Sequence, residues 1–461
     1  MSRPSAAAPA RHRAFEGRRA LVMGLGSFGG GTGAVRYLAS LGARVLVTDQ
    51  RSAASLARSL AELADIPVDF ALGGHRPEDF ERAEIVVVNP AVRPDHPLLA
   101  GARAAGVLVT SEMELFLEAV RGRVVAITGT QGKSSTANAT HALLRLCGMR
   151  AHLGGNIGTS LLPELTAIGP EDLVVLELSS YQLEALSGGA GAARAEAVAV
   201  VNILSDHLER HGTLAAYAAA KQRILALLRP GGHALLPLDD ERFSDWHVEG
   251  RKLGFATRDT GRGLFLRAGA FHLDDEVLGR VEDLRLPGDF QRANALVALG
   301  LARILGLAPA ALARALPEVR GLEHRLQDLG LFRGRRVIDN AVSTTPDSTI
   351  SALCALPAGT VLVLGGKQKL LPLDELARVA RERVVAAVAF GEAGPVFAQA
   401  LRSAGVAVEV VPTLAEALPL ALQRGAPGAH VLFSPAGSSF DAYANFQERA
   451  ADFRTTLESL R

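Results

Sequence analysis

The chain has 461 residues, with 49 Lys plus Arg against 48 Asp plus Glu and two cysteines. That length exceeds one ordinary core and points to several domains of about 100–200 residues each, three being the expectation here. The balanced charge excludes a global pull on nucleic acid or an anionic membrane, so any anion must be held locally.

Cys147 and Cys354 carry no metal or redox spacing, which fits a reducing compartment. The opening MSRPSAAAPARHR lacks the apolar core of a secretory signal, and residues 1–15 read as a disordered tail. No run approaches the roughly 18 uninterrupted apolar residues of a membrane span. A cytoplasmic protein with no membrane insertion is expected.

Short apolar runs alternate with segments of helical periodicity, the pattern of parallel sheets with crossover helices. RALVMG, ARVLVTD and AEIVVVNP read as strands, with GTGAVRYLASLG as a helix between the first two. A second series runs through GRVVAITG, LVVLELSS and AVAVVNIL, and a third through RRVIDN, TVLVLGG, RVVAAVAFG and HVLFSPAG. The expected class is therefore α/β in three domains, divided as residues 16–112, 113–320 and 321–461.

Two glycine loops carry the first chemical signals. Gly24, Gly26 and Gly29 match G-x-G-x-x-G between strand and helix, and Asp49 ends the next strand as a ribose-binding acid would. Glycines let the backbone approach and unpaired helix N–H groups attract phosphate, which suits a nicotinamide dinucleotide or another nucleotide diphosphate alike. The second loop runs Gly129, Thr130, Gln131, Gly132, Lys133, Ser134, Ser135 between the strand VVAIT and a helix. Its lysine can neutralise phosphate oxygens, its amides can form an anion nest and its hydroxyl can ligate Mg2+. It is shorter than the common phosphate loop, because Ile127 stands where that motif has its first glycine. Glu177 ends a buried strand, where an acid needs a partner or a metal, and Asp206 and His207 follow the next strand. Ligand groups gather at the carboxyl ends of parallel strands, so these side chains are expected to converge on Lys133.

GTQGKSS, GGNIG, ELSSYQLE, NILSDHLERH, YAAAKQRI, GLEHR, LVLGG and SPAGSSFDAYANFQERAADF follow one another in that order. In this the chain resembles the Mur ligases of bacterial cell-wall synthesis, over nearly its whole length after the tail. It is most similar to the branch that joins D-glutamate to UDP-N-acetylmuramoyl-L-alanine. The resemblance implies a Rossmann-like UDP-binding domain, a central P-loop ATPase-like domain and a Rossmann-like glutamate-binding domain. It also implies ATP as phosphoryl donor, an acyl phosphate, a tetrahedral intermediate and a monomer.

By the same resemblance Lys133 stabilises the ATP phosphates, Ser134 and Glu177 hold one Mg2+, and His207 ligates a second. Lys221, in YAAAKQRI, matches a lysine that the family carries as a carbamate beside the metal, and Asn156 falls where substrate is met near the reaction centre. Gln291, Arg325 and Asn340 fall at ATP-contacting positions. Thr344, Lys369, Ser439 and Phe446 match the recognition of the incoming glutamate. Ser27, Phe28 and Gly29 match the pyrophosphate site, with Asp49, Gln50 and Arg51 near the uracil or ribose, so the first loop implies no nicotinamide.

Some positions depart from the pattern. Asp339-Asn340-Ala341-Val342-Ser343-Thr344 stands where the family has N-D-S-K-A-T, so the acid expected on the ATP ribose is an amide or is displaced by one. Gln291 replaces an asparagine expected at adenine, and Val342 replaces a lysine near the glutamate pocket, with Lys367 adding a charge close by. Three alternatives follow: a ligase for another amino acid such as L-glutamate, a nicotinamide-dependent oxidoreductase built on the first loop, and an inactive UDP-sugar binder.

Overall fold

The computed structural model describes residues 15–26, 29–157, 160–186, 194–204, 206–286, 288–369 and 371–461. They form two compact units, one of residues up to 284 with 293–318, the other of residues 285–292 with 319–461.

The first unit begins with RALVM as β1 (Arg19–Met23), whose last four residues are buried, as a strand covered on both faces requires. β2 (Arg44–Asp49), β3 (Asp69–Leu72), β4 (Ile85–Val88) and β5 (Leu108–Ser111) complete a five-stranded sheet in the order β3-β2-β1-β4-β5. All four pairings are parallel. The strand order reverses between β1 and β4, and such a switch point opens a crevice at the carboxyl ends of the strands.

The second sheet of this unit contains β6 (Arg123–Thr128), β7 (Ala151–Gly155), β8 (Leu173–Glu177), β9 (Ala195–Val200) and β10 (Leu228–Pro237). Beyond these lie β11 (Arg251–Ala256), β12 (Leu264–Arg267), β13 (Ala270–Leu273) and β14 (Glu276–Arg280). The order is β14-β13-β12-β11-β10-β9-β6-β8-β7, antiparallel only from β12 to β14. The two sheets share one core, in which Val22, Leu38 and Phe116 pack in the same cluster as Val124, Leu161, Leu176 and Phe243. The division expected after Glu112 therefore falls inside this unit, at the start of helix Glu112–Ala119. Phe15 packs on the same core; the rest of the expected tail lies outside the described residues.

The second unit holds β15 (Gln327–Phe332), β16 (Arg335–Asp339), β17 (Thr360–Gly365), β18 (Val384–Phe390), β19 (Val408–Val411) and β20 (His430–Ala436). They are ordered β15-β16-β20-β17-β18-β19, with β15 antiparallel to β16 and the others parallel. The α/β class and three sheets expected from sequence are present. Among the described residues no helix is long and apolar enough to cross a membrane.

Strands missing from the sequence reading have identifiable causes. β7, AHLGG, looks like a glycine turn, yet its glycines serve close strand packing: a Cβ on Gly155 would lie 2.2 Å from the Glu177 carbonyl. β3 and β19 lie at sheet edges and have no fully buried residue, so neither carries a strong apolar run.

Gly24, Gly26 and Gly29 all have positive φ, at 86°, 69° and 82°. A Cβ on Gly26 would also lie 2.6 Å from Asn89 Nδ2. Gly26→Ala should therefore cost about 1–3 kcal/mol, from left-handed strain plus displacement of Asn89. Gly30, with open space around it and no positive φ, is the control. Urea unfolding should separate the two alanine variants; equal stability would refute the constraint on Gly26.

Candidate active site

Parallel pairing aligns Ile127 with Glu177 and Thr128 with Val200. The ends of β6, β8 and β9 thus deliver the phosphate-loop candidate, an acid and the NILSDH segment to one edge. Gly132 caps helix Lys133–Leu146 in a left-handed conformation at φ 78°. A Cβ there would lie 2.3 Å from Asn294 Oδ1, an atom that also accepts from the Thr136 hydroxyl at 3.3 Å. The loop is shaped from below by Asn202. Its Oδ1 accepts from the Thr130 and Gln131 amides at 3.1 and 2.9 Å, and its Nδ2 donates to the Gln131 carbonyl at 3.1 Å. Lys133 folds back, its Nζ donating to the Thr130 carbonyl at 2.8 Å. Ser134 is half-buried in the first turn of the helix, and Ser135 is buried.

Lys221 is fully buried and its Nζ donates to the Gly129 carbonyl at 2.6 Å. The amine also stands 4.6 Å over the Tyr217 ring. Burial, followed by the charge of Lys133, lowers its pKa from 10.5 to about 6, against the opposite pull of Asp206 and Glu177. Lys133, Asp206 and Glu177 thus all act on the Lys221 amine, and the net pull is toward its neutral form.

Glu177 is buried at the end of β8, where Oε1 accepts from Asn156 Nδ2 at 3.1 Å. Its Oε2 is buried with no hydrogen-bond partner. A buried carboxylate oxygen left in this state lacks a donor or cation, and a hard oxygen-seeking ion such as Mg2+ suits it. Glu177 and the Ser134 hydroxyl thus fit the oxygen donors expected of a magnesium site.

His207 has the left-handed φ of 51°, a strained conformation that persists where surroundings impose it. Its ring centroid lies 5.1 Å from that of Tyr181 and 6.2 Å from that of Tyr217. Tyr217 thus has His207 at its edge and Lys221 over its face. Burial raises its hydroxyl to about pKa 12, partly offset by a hydrogen bond with Thr130. Among the described residues no three His, Cys, Asp or Glu side chains form a metal cluster. His207 and Glu177 are not joined in such a set.

At the first glycine loop, Asp49 accepts from the Leu25 amide at 3.0 Å and pairs with Arg51 at 3.0 Å. Burial raises the Asp49 pKa, but the bonds and charge of Arg51 and the Leu25 amide outweigh it, so the net shift is downward. Gln50 is exposed, Gly29 caps helix Gly30–Ser40, and Ser27 and Phe28 lie outside the described residues.

In the second unit, parallel β16, β20 and β17 send their ends to one edge. There Lys369 Nζ donates to the Thr344 hydroxyl at 3.3 Å. Ser439 is buried near the end of β20, and Phe446 opens helix Phe446–Ser459. Arg325 lies between His324 and Leu326, both at positive φ. Asn340 faces inward: its Oδ1 accepts from the Leu326 amide at 3.2 Å and its Nδ2 donates to Ser434 Oγ at 3.0 Å. Asp339 is fully buried against His324 at 2.8 Å and Arg454 at 3.2 Å. Gln291 is buried in the first turn of helix Asp289–Ile304.

Residues 18–111 match the family model described as Mur ligase MurD-like, N-terminal domain. Residues 127–302 match the Mur ligase middle domain, and residues 324–437 the Mur ligase, glutamate ligase domain. A UDP-N-acetylmuramoylalanine--D-glutamate ligase of Roseiflexus sp. (strain RS-1) is 38% identical, covering 96% of this chain and 99% of that protein. The chain belongs to the Mur ligase family. A relative of the same name from Pelotomaculum thermopropionicum is 34% identical over 97% of this chain and 99% of its own. In fold, the chain is similar to the UDP-N-acetylmuramate-alanine ligase MurC of Thermotoga maritima, with a TM-score of 0.61 at 20% identity. That likeness covers 96% of this chain and 100% of the other.

This Mur ligase also uses residues that sequence reasoning did not single out. Asn202 and Asn294 shape the phosphate loop; Asn202 lies inside the quoted stretch NILSDHLERH and Asn294 follows Gln291 by three residues. Arg449 is fully buried in helix Phe446–Ser459 of the second unit and donates to the Gly437 carbonyl at 2.9 Å. Only the length of the motif run could have pointed to them, since an isolated Asn or Arg carries no pattern.

The depressed pKa of Lys221 has a thermodynamic signature. Between pH 6 and 10.5 the unfolded chain binds a proton at this lysine that the folded chain does not, so stability must rise with pH across that window. The stability difference between metal-free wild type and Lys221→Gln should grow by up to about 1.4 kcal/mol per pH unit there, in buffer free of carbon dioxide. A difference independent of pH would contradict a neutral amine.

Proposed function

We propose that the chain is the ATP-dependent ligase that joins D-glutamate to UDP-N-acetylmuramoyl-L-alanine in peptidoglycan synthesis, and that it works as a cytoplasmic monomer. One observation supports the reading most: Glu177 Oε2 is buried without a partner, while Lys221, buried on the Gly129 carbonyl of the loop, feels the charges of both Glu177 and Lys133. The names of the full-length relatives supply the substrate pair.

A carboxylate is a poor electrophile and oxide a poor leaving group. Phosphoryl transfer from ATP converts the substrate acid to an acyl phosphate, which the amine of glutamate attacks before phosphate leaves. Catalysis then rests on positioning and charge stabilisation. Lys133 exchanges the Thr130 carbonyl for the β- and γ-phosphates, while Gly129, Gln131, Gly132 and Ser135 line the nucleotide. Ser134 and Glu177 hold one Mg2+, and His207 with Lys221 serves a second. The metal supplies charge neutralisation on the transferring phosphoryl group.

A neutral Lys221 amine is the form that adds carbon dioxide, giving a carbamate and releasing a proton, so burial prepares this lysine for the modified state. Asn156, held by Glu177, meets the substrate beside the reaction centre. Gly29 with Ser27 and Phe28 receives the pyrophosphate, and Asp49, Gln50 and Arg51 the uridine.

In the second unit Arg325 and Gln291 are assigned to ATP. Asn340 holds the turn that presents Arg325 through the Leu326 amide. Thr344, Lys369, Ser439 and Phe446 are assigned to glutamate. The domain division 16–112, 113–320 and 321–461 is kept as a functional one.

Lys133→Ala should abolish ADP release while sparing binding of the UDP substrate, measured by calorimetry; retained turnover would remove Lys133 from the phosphate site. Amide formation with D- but not L-glutamate, required for ADP release, is the expected substrate result. ADP release without any amide product would overturn the ligase reading, and preference for L-glutamate would move the chain to the alternative amino acid.

A further inference from the structure

Arg210 takes no part in the chemistry assigned above, yet its side chain is only 7% exposed and contacts one carboxylate and three backbone carbonyls. It lies in the four-residue helix Leu208–His211 that begins immediately after His207. Its Nε and Nη2 donate to Glu184 Oε2 at 3.0 and 2.8 Å, and its guanidinium sits 4.7 Å over the Tyr181 ring. The other end of the fork leaves this neighbourhood. Nη1 donates to the Ala91 carbonyl at 3.0 Å, and Nη2 reaches the Val92 and Pro90 carbonyls at 3.1 and 3.4 Å.

Residues 90–92 follow β4, on the far side of the switch point from the glycine loop. They connect directly to that loop, because Asn89 Oδ1 accepts from the Ala91 amide at 3.0 Å and Asn89 Nδ2 donates to the Gly24 carbonyl at 3.4 Å. Asn89 also occupies the space in which side chains on Gly24 and Gly26 would lie, at 3.1 and 2.6 Å. Tyr181 closes the circuit: its hydroxyl lies 3.4 Å from His207 Nδ1 while its face carries Arg210. One continuous set of contacts runs from Gly24 through Asn89, residues 90–92, Arg210 and Tyr181 to His207, all within the first unit.

We propose that Arg210, anchored by Glu184 and Tyr181, is a positioning residue that locks the loop after β4 in register with the His207 segment. The UDP-linked acid is thereby presented at a fixed distance from the phosphoryl group. A surface ion pair would not need a planar fork spread over several carbonyls, and a planar guanidinium is the side chain that can hold several fixed acceptors at once. Small misplacements of a reacting acid are costly, a shift of about 1 Å being enough for a loss on the order of 100-fold. This inference rests on the ligase reading for its kinetic consequence but not for its structural one.

The test uses the full chain as wild type, Arg210→Ala, Arg210→Lys and Glu184→Gln. Hydrogen exchange without substrates, read by mass spectrometry, should speed up several-fold in peptides covering residues 22–26 and 89–93 in both Arg210 variants, and less in Glu184→Gln. Helix Lys133–Leu146 should be unchanged. In turnover assays kcat/KM for the UDP substrate should fall on the order of 100-fold in Arg210→Ala while KM for ATP stays constant. A lysine cannot span the same acceptors, so Arg210→Lys should recover little; added guanidinium should partly restore Arg210→Ala.

Unchanged exchange in residues 89–93, or full activity of Arg210→Lys, would overturn the proposal. A parallel rise in KM for ATP would do so as well. Should an Arg210 variant fail to fold, Glu184→Gln decides by the same exchange criterion. An inactive wild type would instead defeat the ligase reading, and the exchange result would still decide the latch.

Discussion

A buried amine resting on a loop carbonyl is the contact on which the middle of this molecule depends. Lys221 Nζ donates to the Gly129 carbonyl at 2.6 Å at the mouth of the phosphate loop. Taking an ammonium ion out of water costs several kcal/mol unless it is paired. Here the neighbours include a second cation, Lys133, and the acids Glu177 and Asp206 do not compensate fully. The outcome is a lysine pushed toward its neutral form, where sequence alone would give an ordinary charged one. That environment gives the lysine a structural role, supporting Gly129, and the proposed reading adds a chemical one, formation of a carbamate.

Around this contact the first unit is arranged by close approach of backbone. Glycines at 24, 26, 132 and 155 each stand where a Cβ would meet Asn89, Asn294 or the Glu177 carbonyl. The two sheets share a core through Val22, Phe116, Leu161 and Phe243. The two glycine loops are therefore carried by one continuous body, and the largely buried Arg210 side chain joins the loop after β4 to the helix that follows His207.

Much of this was legible in the chain because parallel α/β architecture writes itself as buried apolar runs ending in functional loops. VVAITGTQGKSS and VVLELSS each contain both the strand and the group it delivers, so Lys133 and Glu177 could be named, and register sets Ile127, at the entry to the loop, beside Glu177. Other features were not legible. Asn202 bonds the loop backbone, and Asn294 accepts from the Thr136 hydroxyl, both across more than seventy residues, which no local pattern encodes. The first glycine loop had two readings because its physics, amides toward phosphate, is common to every nucleotide diphosphate. Asn340 was read as a ribose contact by its position, whereas both ends of its amide are engaged by Leu326 and Ser434. The inward turn follows from burial beside Asp339, a property of packing rather than of sequence order.

The central claim is that the substrate carboxylate is phosphorylated before the amide forms, so one of its oxygens must depart with the phosphate. The most direct measurement is to label that carboxylate with oxygen-18 in UDP-N-acetylmuramoyl-L-alanine and to analyse the released phosphate by mass spectrometry. One labelled oxygen in each phosphate, in step with amide formation, is the predicted result. Amide product accompanied by unlabelled phosphate would contradict the account.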